Sequence, residues 1–314
     1  MRPLRVSLHA DDLGLNQSVD DGVVRGFRDG LLTSASVLAN APDAPHALGA
    51  WKSLLADQSA GSLPSSERRV RLDDPRRPFD LGVHGNLTQG RPLTRDFPSE
   101  LLDAEGRFLG VFSLFVRLQR GGRQFSAAIR AELKRQIEWV ADHGVQPTHF
   151  NGHQYVELFP TVAPIVLDLL AEFRIRSVRV ARERSAWRTL LLRGNAVGWF
   201  LTRIQQSFAR RFQKSVASAN LVHAEAFFGA SAAGRIDPPR LRQFLAAAGN
   251  APLVEIALHP GGRPPLQTDA ASESDDWRDP LARLRPVDLQ TVTSPDLVDD
   301  LEFAGRRLGR LAPD

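Results

Sequence analysis

The sequence contains no cysteine. Disulfides, thiolate metal sites, iron–sulfur clusters and cysteine nucleophiles are excluded, so any metal must sit on histidine and carboxylate ligands. Only 8 histidines are present in 314 residues to supply them. No run of about 18 apolar residues occurs, and no transmembrane helix is expected. The start, Met1-Arg2-Pro3-Leu4-Arg5-Val6, lacks the apolar core of a signal peptide. Together these absences predict a soluble, cytoplasmic protein. There is no nucleic-acid-binding motif and no glycine-rich phosphate loop of the usual kind, so no nucleic-acid partner is expected. Aromatic residues make up only 7% of the chain, which argues against a non-catalytic barrel that binds sugar on exposed rings.

A hydrophobic fraction of 42% and a charged fraction of 24% are ordinary globular values, and they predict a sizeable core. Net charge is +4, and the basic residues are overwhelmingly arginine. The pI of about 10.2 reflects arginine's high pKa more than an excess of charge. Such a balance permits an anionic partner without demanding one. The length suits one large barrel or two smaller domains. With no internal repeat and no clear linker, residues 1–314 read as a single domain.

The chain alternates strand patterns with helical ones. Leu4 to Leu8 reads as a strand leading into His9-Ala10-Asp11-Asp12-Leu13-Gly14. Val19 to Gly30 reads as a helix, with Val19, Val23, Val24 and Phe27 on one face. Strands are predicted over 34–40, 80–87, 147–151, 177–181 and 252–259, and helices over 41–55, 125–143, 160–173, 237–249 and 294–310. Residues 56–79 and 263–285 read as polar loops, and 91–124 as an excursion over one mouth of the fold. Residues 186–216 form a basic amphipathic excursion, in which Trp199, Phe200, Ile204, Phe208 and Phe212 mix with Arg203, Arg210, Arg211 and Lys214. Such a helix either lies on a membrane surface or, more often, packs its apolar side on its own domain. Repeated strand–helix units predict an α/β fold with a parallel sheet. We expect a TIM-barrel-like (β/α) barrel, irregular and with fewer than eight strands.

Polar chemistry recurs just after these strands, at Asp11 and Asp12, His84, His153 and His259. In a closed barrel all such strand ends face one mouth, where active sites lie. Adjacent buried carboxylates repel unless one binds a cation, which leaves the other free to act as a base. One carboxylate and two imidazoles with open positions suit a catalytic divalent ion. Asp12, His84 and His153 are therefore the predicted ligands of one Zn²⁺ or Mg²⁺. Asp11 is the predicted general base. His259, in Leu-His-Pro-Gly, would protonate a leaving amine or stabilise an oxyanion. Arg179, Asn151 and Tyr155 are candidate substrate contacts. His9 and His149 are expected to support the site from outside it, while His46, His143 and His223 carry no partner pattern.

Five ordered blocks carry a resemblance: His-Ala-Asp-Asp-Leu-Gly-Leu (9–15), Asp-Gly-Leu-Leu-Thr-Ser-Ala-Ser (29–36), Leu-Gly-Val-His-Gly-Asn-Leu-Thr (81–88), Thr-His-Phe-Asn-Gly-His-Gln-Tyr (148–155) and Glu-Ile-Ala-Leu-His-Pro-Gly (255–261). With them the chain resembles the YdjC-like carbohydrate deacetylase family, which includes chitooligosaccharide and hopanoid-associated deacetylases. The resemblance implies a TIM-barrel-like fold, often dimeric, and a divalent metal used to hydrolyse an N-acetyl group on an amino sugar. It implies Asp11 as base, Asp12, His84 and His153 as ligands, and His259 near the reacting group. Leu13 stands where the family usually has Phe, and Gly85 where it often has Leu. Tyr155 and Glu157 replace histidines that follow the His153 position, which points to an altered substrate preference. Rival readings are a metal-dependent phosphoesterase or amidohydrolase on the same barrel, a non-catalytic carbohydrate-binding barrel, and an enzyme of lipid-linked sugars that touches the membrane.

Overall fold

The computed structural model describes residues 4–59, 79–183, 196–262 and 276–312. Most of the 56–79 segment, the first part of the 186–216 excursion and most of the 263–285 loop lie outside the described residues.

The first strand, β1 (Leu4–Leu13), runs five residues beyond the alternating pattern, through both aspartates. Its two faces are both buried but chemically distinct. Val6, Leu8 and Ala10 belong to the hydrophobic core, with Val19, Val23 and Phe27 of helix α1 (Gln17–Arg28). Ser7, His9 and Asp11 alternate with them and are equally buried. Side chains on a strand alternate faces with period two, so one side of β1 is apolar and the other polar. The helix starts where Asn16 accepts a hydrogen bond from the Val19 N–H at 3.0 Å, satisfying an otherwise orphaned donor.

The remaining strands are β2 (Ser34–Val37), β3 (Asp80–Gly85), β4 (His149–Gly152), β5 (Ser177–Val178), β6 (Ala226–Phe228), β7 (Leu253–Leu258) and β8 (Arg306–Leu308). All pairings are parallel, in the order β5-β4-β3-β2-β1-β7-β6. One edge of β1 is shared. Its start pairs with β8 and its end with β2, while β7 occupies the other edge. The sheet curls until its ends approach, but β5 and β6 do not pair. A lone bridge, Ser177 with Val222, spans that seam. The architecture is an α/β fold with a curled, open parallel sheet, an irregular and incomplete barrel.

The helices are α2 (Ala44–Ser59), α3 (Val111–Gly121), α4 (Ser126–Asp142), α5 (Val162–Glu172), α6 (Ala196–Ser218), α7 (Pro238–Ala247), α8 (Arg285–Val292) and α9 (Leu297–Phe303). In the described half of α6, Ala209, Phe212 and Val216 enter the core while Arg210, Arg211 and Lys214 face outward. That stripe packs on its own domain. Among the described residues, no helix is long and apolar enough to cross a membrane.

One expectation needs correction, and two stretches gain detail. The terminal helix predicted over 294–310 stops at Phe303, because Gly305 turns the chain at φ +65° and Arg306 begins a strand. The Arg306 guanidinium then donates to the carbonyls of Arg5, Ala251 and Gly249, fixing the strand against β1. The three-residue β6 falls in a stretch with no predicted strand; it is too short to show a period. The 91–124 excursion contains α3 and is pinned at its base. Glu132 on α4 accepts from the Leu93 and Thr94 N–H groups, and Gln136 brackets the backbone of Asn86.

Candidate active site

The polar face of the curled sheet holds contacts between strands that are not neighbours, which only an interior can provide. The rings of His9 on β1 and His149 on β4 meet edge to face with centroids 4.9 Å apart. Arg179, just past β5, reaches Glu255 on β7 at 2.6 Å and Asp11 on β1 at 2.7 and 2.8 Å. This interior is hydrogen-bonded, unlike the layered aliphatic filling usual in closed barrels. It opens at the carboxyl ends of the strands into a cavity of about 210 Å³, lined among others by Asp11, Asp12, His84, His153, Tyr155, His259 and Arg285.

Asp12, His84 and His153 come together as predicted. His84 Nε2 and His153 Nδ1 lie 3.4 and 3.2 Å from Asp12 Oδ1, and 3.2 Å from each other. Asp12 Oδ1 is buried and has no hydrogen-bond donor. Edges of this length belong to a tetrahedron with centre-to-corner bonds of about 2.0–2.1 Å, the ordinary length of zinc bonds to nitrogen and oxygen. The three donors thus fit a divalent ion. Asp12 reaches this position with φ at +65°, a left-handed conformation that a non-glycine residue adopts rarely. Its other oxygen accepts from Arg285 Nη2 at 2.8 Å. Burial raises the Asp12 carboxyl, but Arg285 and the two histidines outweigh it and hold the group well below the usual carboxylate range.

Asp11 is held from three sides. Arg179 donates to both oxygens, Asn151 Nδ2 donates to Oδ1 at 3.1 Å, and His9 Nε2 lies 3.3 Å from Oδ1. Burial pushes this carboxyl up, but the Arg179 guanidinium and His84 pull it well below the usual range. It is ionised at neutral pH. His259 Nε2 stands 3.9 Å from Asp11 Oδ2. Burial pushes this imidazole below its ordinary value, against the pull of Asp12 and Asp11. Its backbone N–H donates to Asp288 at 2.8 Å, and the other oxygen of Asp288 accepts from the Ile236 N–H. The turn bearing His259 is thereby tied to the loop before α7.

The structure moves two residues out of the substrate-contact role expected of them. Arg179 is fully buried, with its guanidinium engaged by Asp11 and Glu255. Asn151 is fully buried and donates to Asp11. Both hold the carboxylate rather than face the cavity. Tyr155 does line the cavity, with its ring edge-on to Phe227 at 6.3 Å. Gln154 and Tyr155 are consecutive left-handed residues, at φ +53° and +61°. His9 touches Asp11 directly and is pushed down to about 3 by burial and by Arg179, so it is neutral there. His149 accepts or donates at Thr148 Oγ1 and lies 3.6 Å from Asp80, away from the cavity lining.

Sequence reading missed Arg285, Glu255 and Asp288. Glu255 and Arg179 each interrupt a short apolar run, Leu-Val-Glu-Ile-Ala and Ser-Val-Arg-Val. A charge inside a buried strand demands a partner, and that signal points to the pair. Arg285 ends a polar stretch among other arginines, and nothing local marks it.

A family model described as YdjC-like protein matches residues 5–302. A carbohydrate deacetylase of Geobacillus stearothermophilus is 34% identical over 177 residues, 56% of this chain and 60% of that one. The match therefore spans about three fifths of that relative's length. Carbohydrate deacetylases of Mus musculus and Homo sapiens are 30% and 29% identical, covering 82% and 97% of this chain and 78% and 89% of theirs. A crystal structure from Enterococcus faecalis V583, for which cellobiose-phosphate cleavage has been suggested, superposes with a TM-score of 0.69. It covers 98% of both chains at 16% identity, which speaks to the fold alone. The chain belongs to the YdjC-like carbohydrate deacetylase family.

Proposed function

We propose that this protein hydrolyses the N-acetyl group of an amino sugar or amino-sugar oligosaccharide. The observation that carries the reading is the pairing of two adjacent carboxylates with opposite tasks. Asp12 presents a donor-free oxygen to two imidazoles, and Asp11, one residue earlier, is locked in place facing His259.

A divalent ion on Asp12, His84 and His153 would polarise the amide carbonyl and lower the pKa of water beside it. The chain's own residues supply the rest. Asp11, ionised and fixed by Arg179, Asn151 and His9, accepts the proton of the attacking water. Arg179 supplies the countercharge that keeps a buried carboxylate ionised, and its fork fixes the orientation of both oxygens. His259 Nε2 lies 3.9 Å from Asp11 Oδ2 beside the cavity, and it passes to the departing amine the proton that Asp11 takes from the water. Arg285 steadies Asp12 from the side opposite the imidazoles. Tyr155 provides the cavity's aromatic wall, against which a sugar ring can lie.

The test is acetate release from a panel of N-acetylated mono- and oligosaccharides, with Zn²⁺ or Mg²⁺ added to metal-stripped protein. Metal-dependent acetate from any member is the expected result. Phosphate release from a sugar phosphate, with no acetate from any member, would instead favour the phosphoesterase reading.

A further inference from the structure

A second cluster of ligating side chains lies outside the pocket. Asp20 is in the first turn of α1, and Asp43 and His46 stand at the start of α2. His46 Nδ1 lies 3.8 Å from Asp20 Oδ2 and 3.6 Å from Asp43 Oδ2. The three ligand atoms fall within 4.8 Å of one another. Asp20 is only 1% exposed. One of its oxygens accepts from the Gly14 N–H at 2.6 Å. The other is buried, has no hydrogen-bond partner and is aimed at His46 and Asp43. Asp43 Oδ2 is likewise buried without a donor.

Two buried carboxylate oxygens turned toward each other need either a shared proton or a cation. Among the described residues, neither aspartate is ion-paired with Arg or Lys. Burial, with Asp43 adding to it, pushes Asp20 up to about 8 when no ion is bound. A dication would satisfy both orphaned oxygens at once, and His46, 57% exposed in its side chain, offers a third bond and a route in from solvent.

We propose that Asp20, Asp43 and His46 form a second divalent-cation site, which clamps the turn carrying Asp12. Two carboxylates and one imidazole suit a first-row ion such as Zn²⁺ or Mn²⁺. The clamp follows from what the three residues join. Asp20 receives the Gly14 N–H, and the Asp43 N–H donates to the Gly14 carbonyl at 3.0 Å. A Cβ on Gly14 would lie 2.9 Å from Ala44 Cα, so the turn packs directly on α2. Gly14 is two residues past Asp12, whose left-handed backbone must be held by its surroundings. An ion across α1 and α2 holds that turn from beneath. This inference does not rest on the deacetylase reading. The two clusters share no ligand, so two ions per chain would not by themselves indicate a paired-metal centre.

The test counts Zn²⁺ per chain by equilibrium dialysis of stripped full-length protein. The wild type should bind two ions. His84→Asn/His153→Asn should keep one, and adding Asp43→Asn and His46→Ala should remove it. The melting temperature of the His84→Asn/His153→Asn protein should rise by a few degrees with Zn²⁺. No ion in that double variant, or two ions still bound by Asp43→Asn/His46→Ala, overturns the proposal and leaves a shared proton as the answer. If the double variant does not fold, the wild type decides through the imidazole ¹⁵N resonances of His46. A shift on adding two equivalents of Zn²⁺ supports the site, and an unchanged His46 spectrum overturns it.

Discussion

Arg179 grips Asp11 through two hydrogen bonds of 2.7 and 2.8 Å, while its Nε donates to Glu255 at 2.6 Å. One guanidinium thus joins β1, the end of β5 and β7 across the interior of the barrel. Replacing it by methionine leaves two buried carboxylates facing each other without a countercharge. Removing one partner of a buried ion pair costs about 3–5 kcal/mol, and denaturant unfolding should show a loss of that order. Arg179→Lys keeps the charge but not the fork. That variant should stay folded, with kcat reduced and KM nearly unchanged, because Arg179 positions the base and does not bind substrate. A raised KM at unchanged kcat would return Arg179 to the substrate.

Asp11→Asn keeps the shape of the site and removes the base. Turnover should fall by about 10²–10⁴-fold, with metal content equal to that of the wild type. Wild-type turnover in this variant would take Asp11 out of the mechanism.

His84→Ala and His153→Ala each remove one corner of the ligand triangle. Both should lower metal occupancy, read most cleanly in an Asp43→Asn/His46→Ala background where only this triad is counted. An ion present at 100 times its dissociation constant stabilises a protein by about 2.7 kcal/mol, so chelation should lower the melting temperature and ligand variants should lose that response. Undiminished occupancy in either variant contradicts the ligand assignment.

The Glu157 carboxyl is fully buried and neither oxygen has a hydrogen-bond partner beyond the residue's own backbone N–H; burial pushes it up to about 8 from an ordinary 4.5, against the pull of that N–H and of Arg179. A raised carboxyl pKa means that the folded state holds the proton where the unfolded state has lost it. There is no penalty below about pH 4.5, and it grows to its full size above pH 8. Asp20 and Asp288, raised to about 8 and about 7, act in the same direction. Stability of the metal-free protein should therefore fall as pH rises from 5 to 8.5. Glu157→Gln should be more stable than wild type at pH 8.5 by a few kcal/mol, since each tenfold change in proton affinity is worth about 1.4 kcal/mol. At pH 5 the two proteins should be nearly equal. Equal stability at both pH values would mean that Glu157 finds a partner in solution.

Much of this was legible in the sequence, for identifiable reasons. Strand ends carrying Asp and His declared themselves because each followed a clear apolar run, and parallel topology then gathered them at one mouth. Helix α1 was legible from its Val19, Val23 and Phe27 stripe, although its Asn16 cap was not singled out. What stayed hidden depends on distant contacts. Arg285 meets Asp12 across 273 positions of sequence, and Asp288 pins His259 through a backbone N–H that no pattern encodes. Arg179 and Asn151 were legible as polar groups near the site, but whether they face substrate or Asp11 is set by the curl of the sheet. His46 carried no visible partner because Asp20 lies on another helix.

Hydrolysis of an acetyl amide here needs Asp11 as the base, beside a divalent ion that Asp12, His84 and His153 would hold. The most direct measurement follows acetate and free amine together from an N-acetylated amino-sugar oligosaccharide, using stripped protein reloaded with a defined divalent ion. The two products should appear in equal amounts, lost on chelation, restored by the ion and nearly abolished in Asp11→Asn. Cleavage of the glycosidic bond or release of phosphate, with no acetate, would contradict it.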